Sequence, residues 1–192
     1  MEPVADTRDF PRSAPAAGGL GVLAATWGVV GVGLLLGSAV VRLSGWVFEA
    51  VTAGMVWWEW AVMLGWGAFM GYSEGYRGFQ LGFSPRIAAR ALWLSRNPSL
   101  LRGLLAPAFC MGFFGATKRR TLTSWCVLAG IVGIVSLVRL LPQPWRGIVD
   151  FGVVVGLTWG LLAMLVFAWQ AVSRRDCFAV DPELPADLSG LR

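Results

Sequence analysis

The sequence predicts an all-α, polytopic integral membrane protein with four transmembrane helices. Apolar residues make up 56% of the 192-residue chain, and charged residues only 14%, against about 25% in soluble domains. Four apolar runs are long enough to cross a bilayer, which takes about 20 residues. The runs lack the two-residue alternation of a membrane β-barrel, so each is predicted to be helical.

The predicted spans cover residues 20–41, 50–72, 121–140 and 151–172. The second run contains one acid, Glu59, and the other three are free of acids. The spans and their loops form a single predicted membrane domain over residues 19–172. The segments 1–18 and 173–192 have little apolar surface to bury, and they are predicted to be disordered tails.

The distribution of basic residues predicts the orientation, because Lys and Arg in short loops favour the cytoplasmic side. With both termini inside (N-in, C-in), thirteen of the sixteen basic residues are cytoplasmic and only Arg42, Arg139 and Arg146 are outside. Arg outnumbers Lys fifteen to one, which is typical of a GC-rich genome. We therefore predict a bacterial inner membrane, with an organelle membrane as the alternative.

A cytoplasmic amphipathic or re-entrant element is predicted over residues 84–117, between the second and third spans. Ser84 and Pro85 are typical of a helix start, and the helix that follows is expected to lie flat on the membrane. The run from Leu100 to Thr117 is short and interrupted at Pro107. It is predicted to be re-entrant or in-plane, with a fifth span as the alternative. The residues predicted to contact lipid headgroups are Arg86, Arg90, Trp93, Arg96, Lys118, Arg119 and Arg120.

Glycines spaced by four residues predict the helix-packing faces, because small residues let membrane helices approach closely. The first helix is predicted to pack on the fourth. The triple repeats of the second and fourth helices are expected to lie at different depths and therefore not to face each other. The predicted packing residues are Gly33, Gly37, Gly67, Gly71, Gly75, Gly152, Gly156 and Gly160.

A polar cluster is predicted at the outer side of the membrane. Glu59 is an ionisable residue within a span, which marks a candidate functional position. Its possible partners there are Arg139, Arg146 and Asp150. The cluster is either an ion-pair network that joins helix ends or a proton or substrate site.

The sequence contains no catalytic signature. Histidine is absent, which excludes His-ligated haem, HExxH zinc sites and Ser-His nucleophile pairs. No P-loop motif occurs, and we predict no metal and no cofactor. The basic pI near 9.9 is explained by arginines that flank membrane spans, so no nucleic-acid partner is predicted.

Three classes of function remain. The first is a non-enzymatic structural subunit or assembly factor, built on glycine zippers, that binds anionic phospholipid of the bilayer and either partner membrane proteins or further copies of itself. The second is an oligomeric channel or transporter that uses Glu59 and the broken segment near Pro107. The third is a membrane-embedded enzyme that modifies lipid. The first class is the one we predict.

Overall fold

The computed structural model describes residues 18–173 and 180–185, and over these residues the regular structure is entirely helical. Residues 1–17 of the predicted N-terminal tail lie outside the described part. The elements are α1 (Gly19–Thr52), α2 (Trp57–Met70), a π-helical segment (Gly71–Phe83), α3 (Ser84–Arg96), α4 (Leu100–Leu104), α5 (Ala106–Met111), α6 (Lys118–Val138) and α7 (Trp145–Ser173).

Three helices, α1, α6 and α7, are long and apolar enough to cross a membrane by length and composition. They contain or overlap the predicted spans 20–41, 121–140 and 151–172, which agrees with a multi-pass membrane protein. The first helix is longer than predicted and continues to Thr52.

The second predicted run, 50–72, does not coincide with one helix. Its first residues belong to α1, and a turn at residues 53–56 interrupts it, with Gly54 at a φ of +86°. Such a positive φ suits glycine and breaks a helix. From Trp57 the chain is helical without interruption to Arg96. Hydropathy did not predict that this helix continues to Arg96, because residues 72–80 are largely polar although their backbone is helical.

The middle of this long helix has π geometry over thirteen residues. At its end the N–H of Ser84 donates to the carbonyl oxygen of Phe79, five residues earlier. π-Helices are rare and are mostly single turns. The segment therefore gives the helix from Trp57 to Arg96 a wider middle section.

The long helices form a bundle with defined directions. Gly147 packs against Ala50, and Gly33 packs against Leu161 and Met164, so α1 and α7 are antiparallel. We call the end where α1 finishes and α7 begins the turn end. The opposite end, where α1 begins and α7 finishes, is the tail end. The contact between α1 and α7 agrees with the predicted pairing of the first and fourth helices.

The short helices α4 and α5 fold back along α1 from the tail end. Gly28 packs against Ala106 and Cys110, and Gly31 packs against Pro107. The two helices have five and six residues, too few to cross a bilayer. Residues 100–111 therefore lie alongside the first part of α1 in two short helices, neither of which is a candidate span.

α3 is buried on several sides, which differs from a helix lying flat on a membrane. It continues the axis of the π segment and packs against α1, α5 and α7. Its Ile87 and Leu94 join Val32, Phe109 and Met164 in the buried core of the bundle. The alanines at 88, 89 and 91 explain this position, because small side chains allow close approach of neighbouring helices.

α6 stands apart from the bundle. Only 6% of its apolar window is buried within the fold, against 28% for α1 and 22% for α7. The contacts that attach it lie near its start. Among them, the hydroxyl of Ser124 donates to the Met111 carbonyl oxygen at 3.0 Å, and Trp125 meets Phe113 with ring centroids 5.2 Å apart. The rest of the helix presents an apolar surface.

Candidate functional site: an arginine cluster closed by a C-terminal strap

The two triple glycine repeats face each other and hold α7 parallel to the long helix of residues 57–96. The prediction that they lie at different depths is wrong. The helix begins at Trp57 and not at residue 50, so its glycines lie closer to the turn end than the predicted span placed them. Each glycine leaves space for a side chain of the other helix: Gly67 for Phe151, Gly71 for Val155, Gly75 for Trp159, Gly152 for Trp66 and Met70, Gly156 for Glu74, and Gly160 for Phe79. Of the remaining predicted packing glycines, Gly33 lies against α7, whereas Gly37 has open space beside it.

This interface positions α3 beside residues 180–185, which we call the strap. The hydroxyl of Ser84 reaches the Gly160 carbonyl oxygen at 3.3 Å and so ties the start of α3 to α7. The strap packs through Leu184, which is buried, and the Thr117 N–H donates to the Glu183 carbonyl oxygen at 3.0 Å. These six residues were included in the predicted disordered tail, but they lie against the helices.

Arg90 is the centre of the contact between α3, the loop after α5 and the strap. Its side chain is almost fully buried, and its guanidinium carbon lies 4.3 Å from the centroid of the Phe109 ring. The guanidinium donates four hydrogen bonds to main-chain carbonyl oxygens: Nε to Phe109 at 2.7 Å, Nη1 to Pro182 at 3.0 Å, and Nη2 to Phe114 at 3.1 Å and to Gly115 at 2.7 Å.

The charge state of Arg90 follows from this environment. Burial lowers the pKa of its guanidinium to about 10, which still leaves it protonated at neutral pH. The donors of this residue, predicted to contact lipid headgroups, are occupied by the protein itself. In the described conformation Arg90 therefore cross-links three parts of the chain.

Arg86 and Arg120 share the carboxylate of Glu183. Nη1 of Arg86 lies 3.1 Å from Oε1, and Nε of Arg120 lies 3.8 Å from Oε2. The first distance is a hydrogen bond and the second is only a close ion pair. We define Arg86, Arg90 and Arg120 as the arginine cluster. Its three cations come from α3 and α6; two of them meet the Glu183 carboxylate, and Arg90 bonds the neighbouring Pro182 carbonyl oxygen.

The other residues predicted to contact headgroups are divided between the interior and the surface. Trp93 is buried; its ring centroid lies 5.7 Å from that of Phe109 and 5.3 Å from the Arg102 guanidinium carbon. Arg96 is half-buried at the end of α3, whereas Lys118 and Arg119 are exposed at the start of α6.

At the turn end, the structure brings together two of the four residues of the predicted polar cluster. Nε of Arg146 lies 3.9 Å from Oδ2 of Asp150, and the Arg146 guanidinium stacks 3.4 Å from the centroid of the Trp46 ring. Glu59 instead accepts a hydrogen bond from the Val56 N–H at 2.9 Å and so caps the start of α2. Arg139 is exposed at the end of α6.

The described residues also line a partly open apolar pocket of about 300 Å³ between α1, α3 and α7. Thr26 and Ser95 supply its only side-chain hydroxyls, and the remaining lining is aliphatic apart from Trp169. Within residues 18–173 and 180–185, no group of three or more His, Cys, Asp or Glu residues is arranged to hold a metal ion.

Sequence reasoning missed the strap, although a signal was present. Residues 181–185 read DPELP, with two acids among prolines, in a chain whose basic block spans residues 77–120. Opposite charge alone did not indicate which arginine the segment would meet.

Comparisons with protein-family models, with curated proteins and with solved structures find no match.

Proposed function

We propose that this protein is a non-enzymatic subunit or assembly factor of a membrane, with four spans and both termini in the cytoplasm. In this proposal α2 and the π segment, residues 57–83, supply the fourth crossing. The protein binds a partner membrane protein through α6 and anionic phospholipid at its tail end.

The observation that carries the proposal is the isolation of α6. Its apolar window is the least buried of the three. The glycine repeats of α7 and of residues 67–75 are filled by side chains of their neighbours, whereas Gly130 and Gly133 on α6 have open space beside them. Glycines in membrane helices favour close approach of another helix. We therefore assign a transmembrane helix of a partner to this face of α6.

The ends of the bundle support the proposed orientation. Exposed Lys118 and Arg119 lie at the start of α6, next to the arginine cluster, and a cytoplasmic surface with anionic lipid attracts basic side chains. Trp58 and Trp145 pack together at the turn end with ring centroids 5.7 Å apart, and tryptophan is enriched at membrane interfaces.

The two alternatives receive less support. For the channel reading, Glu59 caps α2 at the turn end, whereas Pro107 lies against Gly31. These positions are separated by roughly 30 Å along α1, at a rise of about 1.5 Å per residue. For the enzyme reading, burial raises the pKa of Cys110, the thiol beside Arg90, to about 12, which makes it a poor nucleophile.

Photo-cross-linking in membranes tests the α6 assignment. A photoreactive residue at Leu137, exposed on the same face of α6 as Gly130 and Gly133, is expected to give a protein adduct of one defined mass. The same residue at Leu162, exposed on α7, is the matched control and is expected to give lipid adducts. Native mass spectrometry of the detergent-solubilised chain then distinguishes a heteromer from a homo-oligomer of stoichiometric mass.

A second variant makes the result specific to helix packing. Gly133→Leu fills the open space on α6 and should abolish the Leu137 adduct. The fold should be retained, because no described atom outside this stretch of α6 lies within 4 Å of a Cβ atom placed at Gly133. Identical products from Leu137 and Leu162, or an adduct that survives Gly133→Leu, would contradict the proposal.

A further inference from the structure

We propose that the arginine cluster is a binding site for a phosphate group, and that the strap is a latch whose Glu183 carboxylate occupies this site until a phosphate displaces it. The inference rests on the membrane placement of the proposed function, but not on the partner of α6. Its ligand class is a phosphate anion, carried either by a lipid headgroup at the tail end or by a soluble molecule.

Among the described contacts of the arginine cluster, positive charge exceeds negative charge. Arg86, Arg90 and Arg120 supply three positive charges, and the Glu183 carboxylate contacts two of them. The described hydrogen bond from Arg90 to the strap goes to the neutral carbonyl oxygen of Pro182. An anion with a charge near −2 would match this excess better than a carboxylate, and Arg pairs well with phosphate oxygens.

Donor groups at the site are also left over. Nε of Arg86 is buried and has no hydrogen-bond partner among the described residues. Nε of Arg120 is too far from Glu183 for a hydrogen bond, at 3.8 Å. A phosphate has more acceptor oxygens than a carboxylate, so it can accept from both arginines at once. The carboxylate satisfies only one of them.

The described anchors of the strap include the Glu183 ion pairs, the hydrogen bonds from Arg90 and Thr117, and the buried Leu184. The Glu183 ion pairs are the anchors for which an anion would compete. Glu183 has a φ of +50°, a conformation that non-glycine residues rarely adopt. About a third of the side chain of both Arg86 and Glu183 is exposed, so an anion can approach the pair without opening the bundle.

The test is hydrogen exchange of the full chain in phosphatidylcholine nanodiscs, with three additions: none, phosphatidate in the bilayer, and inorganic phosphate in solution. We expect phosphatidate to increase exchange of the strap amides and of the Thr117 amide, which donates to the strap. A response to phosphatidate alone identifies a lipid headgroup, and a response to inorganic phosphate identifies a soluble source. Unchanged exchange with both additions would overturn the proposal.

Variants test the competition directly. Glu183→Gln removes the competing charge and should tighten phosphate binding about two- to five-fold, the range expected for a partly exposed ion pair. The double variant Arg86→Gln and Arg120→Gln should lose the response. Arg77→Gln, an exposed arginine on the π segment outside the cluster, is the matched control and should respond as the unaltered chain does.

The outcomes separate this inference from the proposed function. If the double variant still binds phosphatidate as tightly as the Arg77→Gln control, the arginine cluster is not the site. If Glu183→Gln does not tighten binding, the strap is not a competitor. Neither result affects the Leu137 adduct, and loss of that adduct in the unaltered chain would count against the α6 partner alone.

Discussion

Replacing Gly21 by Ala should separate the start of α1 from the end of α3. A Cβ atom at this position would lie 2.9 Å from the carbonyl carbon of Ser95 and closer still to its oxygen. Both are main-chain atoms of a helix and cannot rotate away. The two helices must therefore shift, which loses packing between them.

The matched control is Gly37→Ala on the same helix. No described atom lies within 4 Å of a Cβ atom placed there. Both substitutions gain the same helix propensity, about 0.5–1 kcal/mol for Gly to Ala, so this contribution cancels in their difference. The difference in free energy of unfolding is then the cost of the clash alone, about 1–3 kcal/mol for overpacking of a well-packed site.

The assay is reversible unfolding of both purified variants in mixed detergent micelles as the denaturing detergent is increased. Gly37→Ala should match or exceed the unaltered chain in stability, and Gly21→Ala should be the less stable of the pair. Equal stability of the two variants would refute the close contact between α1 and α3, and with it the position of α3 inside the bundle.

Three further predictions concern the interior. Arg90→Lys keeps the positive charge but offers three hydrogen-bond donors in place of five. Some of the carbonyl oxygens around Arg90 then lose their partners, at a cost of about 1–3 kcal/mol each. The free energy of unfolding should therefore be lower for Arg90→Lys than for the control Arg77→Lys. Gly156→Leu should disrupt the interface between α7 and residues 70–75, because a Cβ atom at Gly156 would already lie 3.1 Å from the Cβ atom of Glu74. Disulfide cross-linking between cysteines placed across that interface should become less efficient. An unchanged cross-linking efficiency would contradict the contact between the two glycine repeats. Because burial disfavours the charged thiolate and raises the Cys110 pKa to about 12, this thiol should resist alkylation in the folded protein at pH values well below 12 and react after unfolding, as peptide mass spectrometry can show.

Hydropathy predicted the elements that depend on composition alone. The runs 20–41, 121–140 and 151–172 fall on helices because a long apolar run has few alternatives to helix in lipid. For the second run, both predicted boundaries were wrong. Apolarity does not reveal the turn at Gly54, and it does not reveal that the helix continues through polar residues to Ser84. The glycine spacing indicated packing faces, but not which faces meet, because that depends on the relative displacement of two helices along their axes.

The site was predicted only in part. The arginines of α3 were recognised from their number and order, and their role was assigned to the membrane surface. Arg86 pairs with Glu183, and Arg90 bonds the carbonyl oxygens of Phe109, Phe114 and Gly115. Carbonyl oxygens carry no sequence signal, because every residue has one. Asp150 illustrates the same limit: local spacing favours Arg146, four residues earlier, and the structure pairs these two although Arg139 was an equally basic candidate.

The π segment sets the angular position of everything that follows it. In an α-helix, four residues overshoot one turn of 3.6 residues, and in a π-helix, whose hydrogen bonds skip five residues, four residues fall short of one turn. The line of every fourth residue, from Gly67 in α2 through Gly75 to Phe79, therefore rotates around the helix axis in one direction in α2 and in the opposite direction in the π segment. The two rotations offset each other, so these residues all face α7. If the segment relaxed to α geometry, α3 would rotate about its own axis, and Arg86 and Arg90 would no longer point at the strap.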